Sequence, residues 1–240
     1  MIAPARLAVV DAMRGLAIAG VVLFHLVWDL EFANFISGVA QHPIWLAFGR
    51  VLAGSFMLLV GVSLVLASRA PLRPASYLRR LGKIAAAAAA ITVVTWYIFP
   101  ESFIYFGILH AIALATLIGT LLLRAPAWFC FLAGFLILLA PMMWESDGFN
   151  TRWLAWTGFA EHAPPSNDFV PVFPWIGLTL LGMAGTKLLL GRETDARVRS
   201  LVPSGLPGHC LVWMGRRSLA IYLLHQPVLL AIIIPLSWLR

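Results

Sequence analysis

Long apolar runs separated by short polar connections dominate the chain, and seven of them approach or exceed the length of a membrane helix. Such a helix needs about 17–25 mainly apolar residues. The runs cover residues 9–30, 44–67, 84–99, 103–123, 127–144, 170–190 and 218–239. The run at 84–99 is short and alanine-rich, so we expect other helices to surround it. The segment 145–169 has room for an eighth, short helix at the membrane surface. The pattern predicts an all-α polytopic bundle, with residues 1–240 forming a single domain.

The composition excludes a soluble globular domain. Hydrophobic residues make up 61% of the 240 positions and charged residues only 11%, whereas soluble domains carry about 25% charged residues. The net charge is +7, which in a soluble protein would suggest a nucleic-acid partner. Here the basic residues lie in short connections between apolar runs, so we expect a lipid bilayer and no nucleic acid as partner.

The distribution of charge between the runs predicts the orientation of the bundle. Basic residues collect in alternate connections, at Arg69, Arg73, Arg79, Arg80, Lys83, Arg124, Lys187, Arg192, Arg197, Arg199, Arg216 and Arg217. The other connections hold most of the acidic residues and one arginine, at Glu31, Glu101, Glu145, Asp147, Arg152, Glu161 and Asp168. Basic connections stay in the cytoplasm, so we expect the N-terminus inside and the C-terminus outside.

The first run contains four ionisable residues, Asp11, Arg14, His25 and Asp29. At 100° per residue they share an arc of about 60° on one helix face. Ionisable groups inside a membrane are costly and usually functional, so this face should look into a bundle or a cavity. We expect Asp11 to pair with Arg14. Asp29 lies one turn from His25, where it could orient the imidazole and raise its basicity, as a general base or a histidine nucleophile requires.

Other polar residues in and near the runs are candidates for binding or catalysis, and each also has an ordinary structural explanation. They are His42, Arg50, His110, Asn167, Asp168, Arg216, His225 and Gln226. Arg50 could extend to the membrane surface, Asp168 could be only a helix N-cap, and the histidines could be packed or exposed. Pro227 should kink the last run and free a backbone carbonyl beside His225.

The first run resembles the opening of transmembrane acyltransferases, through Asp11-Ala-Met-Arg14-Gly15 and a histidine at position 25. A closer resemblance is to the bacterial family similar to heparan-alpha-glucosaminide N-acetyltransferase. Further blocks carry it: His25-x-x-x-Asp29-Leu30, Phe56-x-x-x-x-Gly61-x-Ser63, Phe106-Gly-Ile-Leu-His110, Asn167-Asp168-Phe-Val-Pro171-Val-Phe-Pro174-Trp175, and Gly215-x-x-Ser218-Leu-Ala-Ile-Tyr222-Leu-Leu-His225-Gln226-Pro227. The blocks stand in order from residue 9 to about residue 229.

This resemblance implies acetyl-CoA as the acyl donor, an amino sugar or glycan as the acceptor, and catalysis by histidine. His25 with Asp29, or His42, would then be catalytic. Donor binding is expected from the cytoplasmic side, at Asp11, Arg14, Arg216, His225 and Gln226, and acceptor binding at Arg50, His110, Asn167 and Asp168. We expect no metal and a location in the bacterial inner membrane. A homodimer would be expected only by analogy with the family.

Three questions stay open at this stage. The same polar stripe could serve a transporter or channel as a solute or proton path, although no inverted repeat is visible, and a non-catalytic scaffold is a third reading. The transferred group could be acetyl or another short acyl group. Transfer could be direct, or it could pass through an acyl-histidine.

Overall fold

A computed structural model describes residues 7–69, 74–189 and 205–239, and this part of the chain is helical with no strand. Its nine α-helices are α1 (Ala8–Phe32), α2 (Pro43–Ala67), α3 (Pro74–Ile98), α4 (Ile108–Leu121), α5 (Ala127–Met143), α6 (Arg152–Ala155), α7 (Val172–Leu189), α8 (Gly205–Arg216) and α9 (Ser218–Trp238). A 3₁₀ turn at Asp147–Phe149 precedes α6. Four basic residues used to predict the orientation lie outside the described residues: Arg73, Arg192, Arg197 and Arg199.

The predicted polytopic helical bundle is confirmed, since each of the seven apolar runs contains a helix. Within the described residues, α1, α2, α3, α7 and α9 are long and apolar enough to cross a membrane, and α4 and α5 are shorter apolar helices. The short helix that the segment 145–169 could hold is present as α6. The cytoplasmic location of the N-terminus stays a prediction.

Two helix boundaries and one whole helix differ from the sequence prediction. Helix α3 begins at Pro74, ten residues early, because proline suits a first helical position and arginine and lysine are good helix formers. Residues 103–107 are apolar but not helical, since Phe106 pairs with Phe169 in an isolated parallel bridge. Helix α8 was missed because its 12 residues include glycine, proline and charge and are too short to span a bilayer.

Within the described residues, the alanine-rich part of α3 is largely exposed and is not surrounded by other helices, which corrects our expectation. Only Ile84, Ala87 and Ala88 are buried on this helix. Val93, Trp96 and Tyr97 are each at least half exposed. Within residues 57–191, α3 packs against α4. The alanines therefore provide one narrow contact face, and the rest of the helix surface is apolar and exposed.

The chain divides into two compact units, Met1–Phe56 with Arg192–Arg240, and Met57–Gly191. In the first unit α1 packs along α8 and α9. Gly15 of α1 and Gly215 of α8 allow this approach, because a Cβ atom on either would overlap a backbone carbonyl oxygen of the facing helix. Ile18, Val21 and Leu52 form the buried core there.

In the second unit, which spans Met57–Gly191, α7 packs against α4 and α5. At the contact with α5, Cβ atoms on Gly134 and Gly177 would each come within 2.8 Å of the other residue's carbonyl oxygen. Cys130 lies fully buried in the adjacent core, and Cys210 of the first unit is exposed; both are free thiols. The Lys187 ammonium, at the end of α7, donates to the Ala125 carbonyl oxygen at 2.5 Å.

Candidate active site

The polar face of α1 looks onto α8 and α9, as its pattern predicted. At one end Asp11 is 4% exposed, and its carboxylate binds Arg14 at 2.9 Å and Arg216 of α8 at 3.4 Å. The predicted pairing of Asp11 with Arg14 is confirmed. Two guanidinium groups therefore meet at one buried carboxylate, in charge-assisted hydrogen bonds.

Farther along α1, His25 meets His225 of α9. Their ring centroids lie 4.7 Å apart in an edge-to-face arrangement. His25 Nδ1 lies 3.0 Å from the Val21 carbonyl oxygen, and His225 Nδ1 lies 2.6 Å from that of Tyr222. A carbonyl oxygen only accepts, so each Nδ1 carries a proton and donates it. In the neutral rings the lone pair is therefore on Nε2.

The predicted hydrogen bond between Asp29 and His25 is not formed. The His25 Nδ1–H is taken by Val21, and Asp29 instead accepts a 2.6 Å hydrogen bond from the side-chain amide of Gln226. A histidine on a helix can donate to the backbone carbonyl four residues before it as well as to a side chain four residues after it. Here the carbonyl of Val21 is the acceptor. The prediction had Asp29 fixing the tautomer of His25. The carbonyl oxygen of Val21 fixes it instead.

An aromatic cluster lies beside His25. The Phe24 ring contacts the His25 ring edge-to-face, with centroids 5.6 Å apart, and stacks on Trp45 at 5.7 Å. Phe48 of α2 completes the cluster. The Trp45 indole N–H is buried and has no acceptor among the described residues. Nothing in the sequence distinguishes this donor, because tryptophan is common near the ends of membrane helices.

His42 and Arg50 are both exposed. His42 precedes α2, where its carbonyl accepts from Leu46 and its Nδ1 accepts from the backbone N–H of Ile44 at 3.3 Å. The ring thus caps the helix, and a neutral His42 carries its proton on Nε2. Arg50 has no hydrogen-bond or ion-pair partner among the described residues and is free to meet an anion.

An apolar groove of about 410 Å³ runs along α9 and reaches His225. Leu224 lies in its wall, and Trp213 and Arg217 line it at the α8–α9 junction, where the Arg217 guanidinium stacks on the indole of Trp213 at 4.8 Å. Because its lining is almost wholly apolar and α9 is a candidate membrane span, hydrocarbon chains suit this groove better than a nucleotide does.

His110 lies in the second unit and is fully hydrogen-bonded there. Its Nδ1 accepts from the Gly107 N–H at 3.2 Å, and its Nε2 lies 3.2 Å from the Thr92 hydroxyl, which itself donates to Ile104. Both ring nitrogens are therefore occupied in a neutral imidazole. This arrangement supports a structural role for His110 and leaves it no free donor or acceptor for a substrate.

Asp168 and Asn167 also hold structure together in this unit. Asp168 Oδ2 accepts from the backbone N–H of Ile108 at 2.8 Å, so it caps α4 from a distance of 60 residues. Asn167 exchanges two hydrogen bonds with Ser102. Nearby, burial raises the pKa of the Tyr105 hydroxyl to about 12, against a smaller opposing effect of Arg152, so Tyr105 stays a donor to Pro164.

Replacing Asp168 by alanine should weaken the start of α4, because the Ile108 N–H would lose its acceptor and the helix N-terminus its negative charge. We expect a loss of about 1–2 kcal/mol of unfolding free energy, or roughly 3–6 °C in melting temperature. Thermal unfolding in detergent measures it. Glu145→Ala, which removes an exposed carboxylate with no partner among the described residues, is the control; equal shifts in the two variants would contradict the capping role.

Comparison with known families decides the relationship of the chain. A family model for the catalytic domain of heparan-alpha-glucosaminide N-acetyltransferase matches residues 6–227, nearly the whole sequence. The chain belongs to this family. Neither a curated protein nor a solved structure matches it. Membership in the N-acetyltransferase family indicates a membrane acetyltransferase, and the matched region includes all of the polar face of α1 and reaches Pro227 of α9.

One group of side chains in the described residues has spacing suitable for a metal. The ligand atoms of Asp147, Glu161 and His162 lie within 4.8 Å of one another, and all three residues are exposed. Exposed acidic groups of this kind are common without a metal. No metal enters the function that we propose for this member of the N-acetyltransferase family.

Proposed function

We propose that the protein is an acyltransferase of the bacterial inner membrane that moves an acetyl or other short acyl group from cytoplasmic acyl-CoA, most simply acetyl-CoA, to an amino sugar or glycan at the outer face. Family membership supports the acetyl transfer, and the five long apolar helices support the membrane location. The arrangement of His25 carries the mechanism, since the backbone of α1 leaves its Nε2 lone pair available.

The proposed reaction uses His25 as a general base. Its Nε2 takes a proton from the acceptor amine or hydroxyl as that atom attacks the thioester carbonyl. The new bond joins the acyl carbon to the acceptor, the carbon–sulfur bond breaks, and the coenzyme leaves as a thiolate that takes up the proton from His25. A transient acyl-histidine would need the same Nε2 lone pair, so the tautomer supports either route.

The donor phosphates are proposed to bind at the end of α1 that carries Asp11. Arg14 and Arg216 both bind the Asp11 carboxylate there, so two guanidinium groups lie together at this end of the helix. Arg217 adds a guanidinium with no carboxylate partner among the described residues. The positive-inside prediction puts this end in the cytoplasm, where coenzyme A is available.

Acceptor binding is proposed at Arg50, which is exposed and has no partner among the described residues. The hydrogen bonds of His110 and Asp168 support structural roles instead, and Asn167 keeps only its exposed amide for a substrate. His42 remains the second candidate for the catalytic histidine, because it is exposed on the same unit as His25, although use of its Nδ1 would uncap α2.

Proteoliposomes test the direction of transfer. Acetyl-CoA labelled in its acetyl group is supplied on one side of the membrane and glucosamine on the other, and the N-acetylated product is detected by mass spectrometry. The proposal predicts labelled product only when the acceptor is on the side opposite the donor and the donor faces the basic connections. Acceptor flux that needs no acyl donor would favour the transporter reading instead.

A further inference from the structure

Asp29 and Gln226 form a buried contact between α1 and α9. Asp29 is completely buried, and the Gln226 Nε2–H donates to its Oδ1 at 2.6 Å. The two residues are 197 positions apart in sequence. The contact follows the His25–His225 pair by one turn of α1, so these pairs are successive polar connections between the same two helices.

Two oxygen atoms of this contact have no partner. Asp29 Oδ2 and Gln226 Oε1 are both buried, and neither accepts a hydrogen bond from any residue in 7–69, 74–189 or 205–239. An ionised carboxylate and an amide oxygen are acceptors only, so neither could satisfy the other. A buried carboxylate with one hydrogen bond and no cation beside it is also a costly arrangement in a membrane helix.

The charged and titratable groups around Asp29 are engaged elsewhere. On α1, His25 donates to Val21, and the Glu31 carboxylate accepts from the backbone N–H groups of Gly38, Val39 and Ala40. On α8, Arg216 binds Asp11 at the opposite end of the polar face. On α9, His225 Nδ1 points to the Tyr222 carbonyl. In the described parts of these helices no cation neutralises Asp29.

We propose that Asp29 is a neutral carboxylic acid in the resting protein, with its proton on Oδ2 and donated to Gln226 Oε1. A carboxylic acid and a primary amide can form two hydrogen bonds in one ring, with the amide N–H bonded to the carboxyl C=O and the acid O–H bonded to the amide C=O. The first of these bonds is present in the structure. One proton supplies the second bond and satisfies both remaining oxygens at once.

Gln226 is then a positioning residue for the proton of Asp29 rather than a contact of the acyl donor. Asp29 fixes α1 against α9 and supplies no negative charge to His25. The expectation that this carboxylate raises the basicity of His25 is replaced by a neutral hydrogen-bonded ring. The protonation state does not depend on the proposed acetyl transfer, so the two proposals can fail separately.

Infrared spectroscopy of the purified protein at neutral pH tests the proposal. The wild type should show the carbonyl band of a protonated carboxyl group, shifted in deuterium oxide and absent from Asp29→Asn. Asp11→Asn, which removes an ion-paired carboxylate from the same helix, should remove carboxylate bands and leave the carbonyl band in place. Loss of carboxylate bands in Asp29→Asn would overturn the proposal.

Two further variants keep the test decisive. An asparagine at position 29 can form the same two bonds with Gln226, so Asp29→Asn should melt within about 2 °C of the wild type, whereas Asp29→Leu should melt clearly lower. Gln226→Leu should move the carboxyl band to higher frequency, because it removes both partners of the acid. A wild type without a carboxyl band, or a band that Gln226→Leu does not move, would contradict the assignment.

Discussion

Replacing His25 by alanine is expected to reduce acyl transfer at least about 100-fold, because a general base contributes about 10²–10⁴-fold to rate. Protein folding should persist, since the residue gives up one hydrogen bond to Val21 and ring contacts with Phe24 and His225. The measurement is the initial rate of acetylated product formation at saturating donor, beside the melting temperature of the variant.

His209→Ala is the matched control for this experiment. His209 also directs Nδ1 to the carbonyl of the residue four positions earlier, Gly205, at 2.7 Å, but it is exposed on α8. We expect it to keep wild-type activity. His42→Ala should lose a helix cap, worth about 1 kcal/mol, and retain most of the activity. Full activity in His25→Ala with loss in His42→Ala would move the catalytic role to His42.

Replacing Gly215 by alanine is expected to produce the largest loss of stability. The new methyl group would overlap the Asp11 carbonyl oxygen of α1 and lie 3.0 Å from the Gly15 nitrogen. These are backbone atoms, so the helices α1 and α8 must separate, and overpacking of this kind costs about 1–3 kcal/mol or more. We expect the melting temperature to fall by roughly 5–10 °C in detergent.

Gly82→Ala on α3 provides the comparison, since nothing outside the adjoining backbone of α3 lies within 4 Å of the position that its Cβ would occupy. There the substitution should be neutral or stabilising, because alanine favours a helix over glycine by about 1 kcal/mol. Equal melting temperatures for the two alanine variants would contradict the close approach of α1 and α8. The Asp11–Arg216 ion pair depends on the same close contact of α1 with α8. We therefore expect the affinity for the acyl donor to fall together with stability in Gly215→Ala.

Most of the helices follow from the sequence, because a bilayer demands long apolar runs and helical hydrogen bonding within them. Short helices and extended segments do not need a long apolar run, so they were harder to predict. The residues of α8 have no such run, and Phe106 lies in an apolar run yet is extended by its pairing with Phe169. Apolar composition reports contact with lipid or core and does not fix the backbone conformation at the ends of a run.

The site was only partly predictable for a similar reason. Periodicity put Asp11, Arg14, His25 and Asp29 on one face, and the structure confirms that this face meets other helices. Periodicity could not identify the partner of each side chain. Gln226 reaches Asp29 from the other end of the chain, and a backbone carbonyl has no sequence signature. Partner choice depends on tertiary packing, which a single sequence does not display.

Release of the coenzyme A thiol by the purified protein tests the central claim most directly. Acetyl-CoA is supplied with and without glucosamine to the wild type and to His25→Ala, with folding of both checked by thermal unfolding. We predict thiol release that depends on the acceptor in the wild type and is nearly absent in the folded variant. Equal release in the two proteins would contradict the role of His25. No release from the folded wild type across a panel of amino sugars and glycans would contradict the proposed transferase.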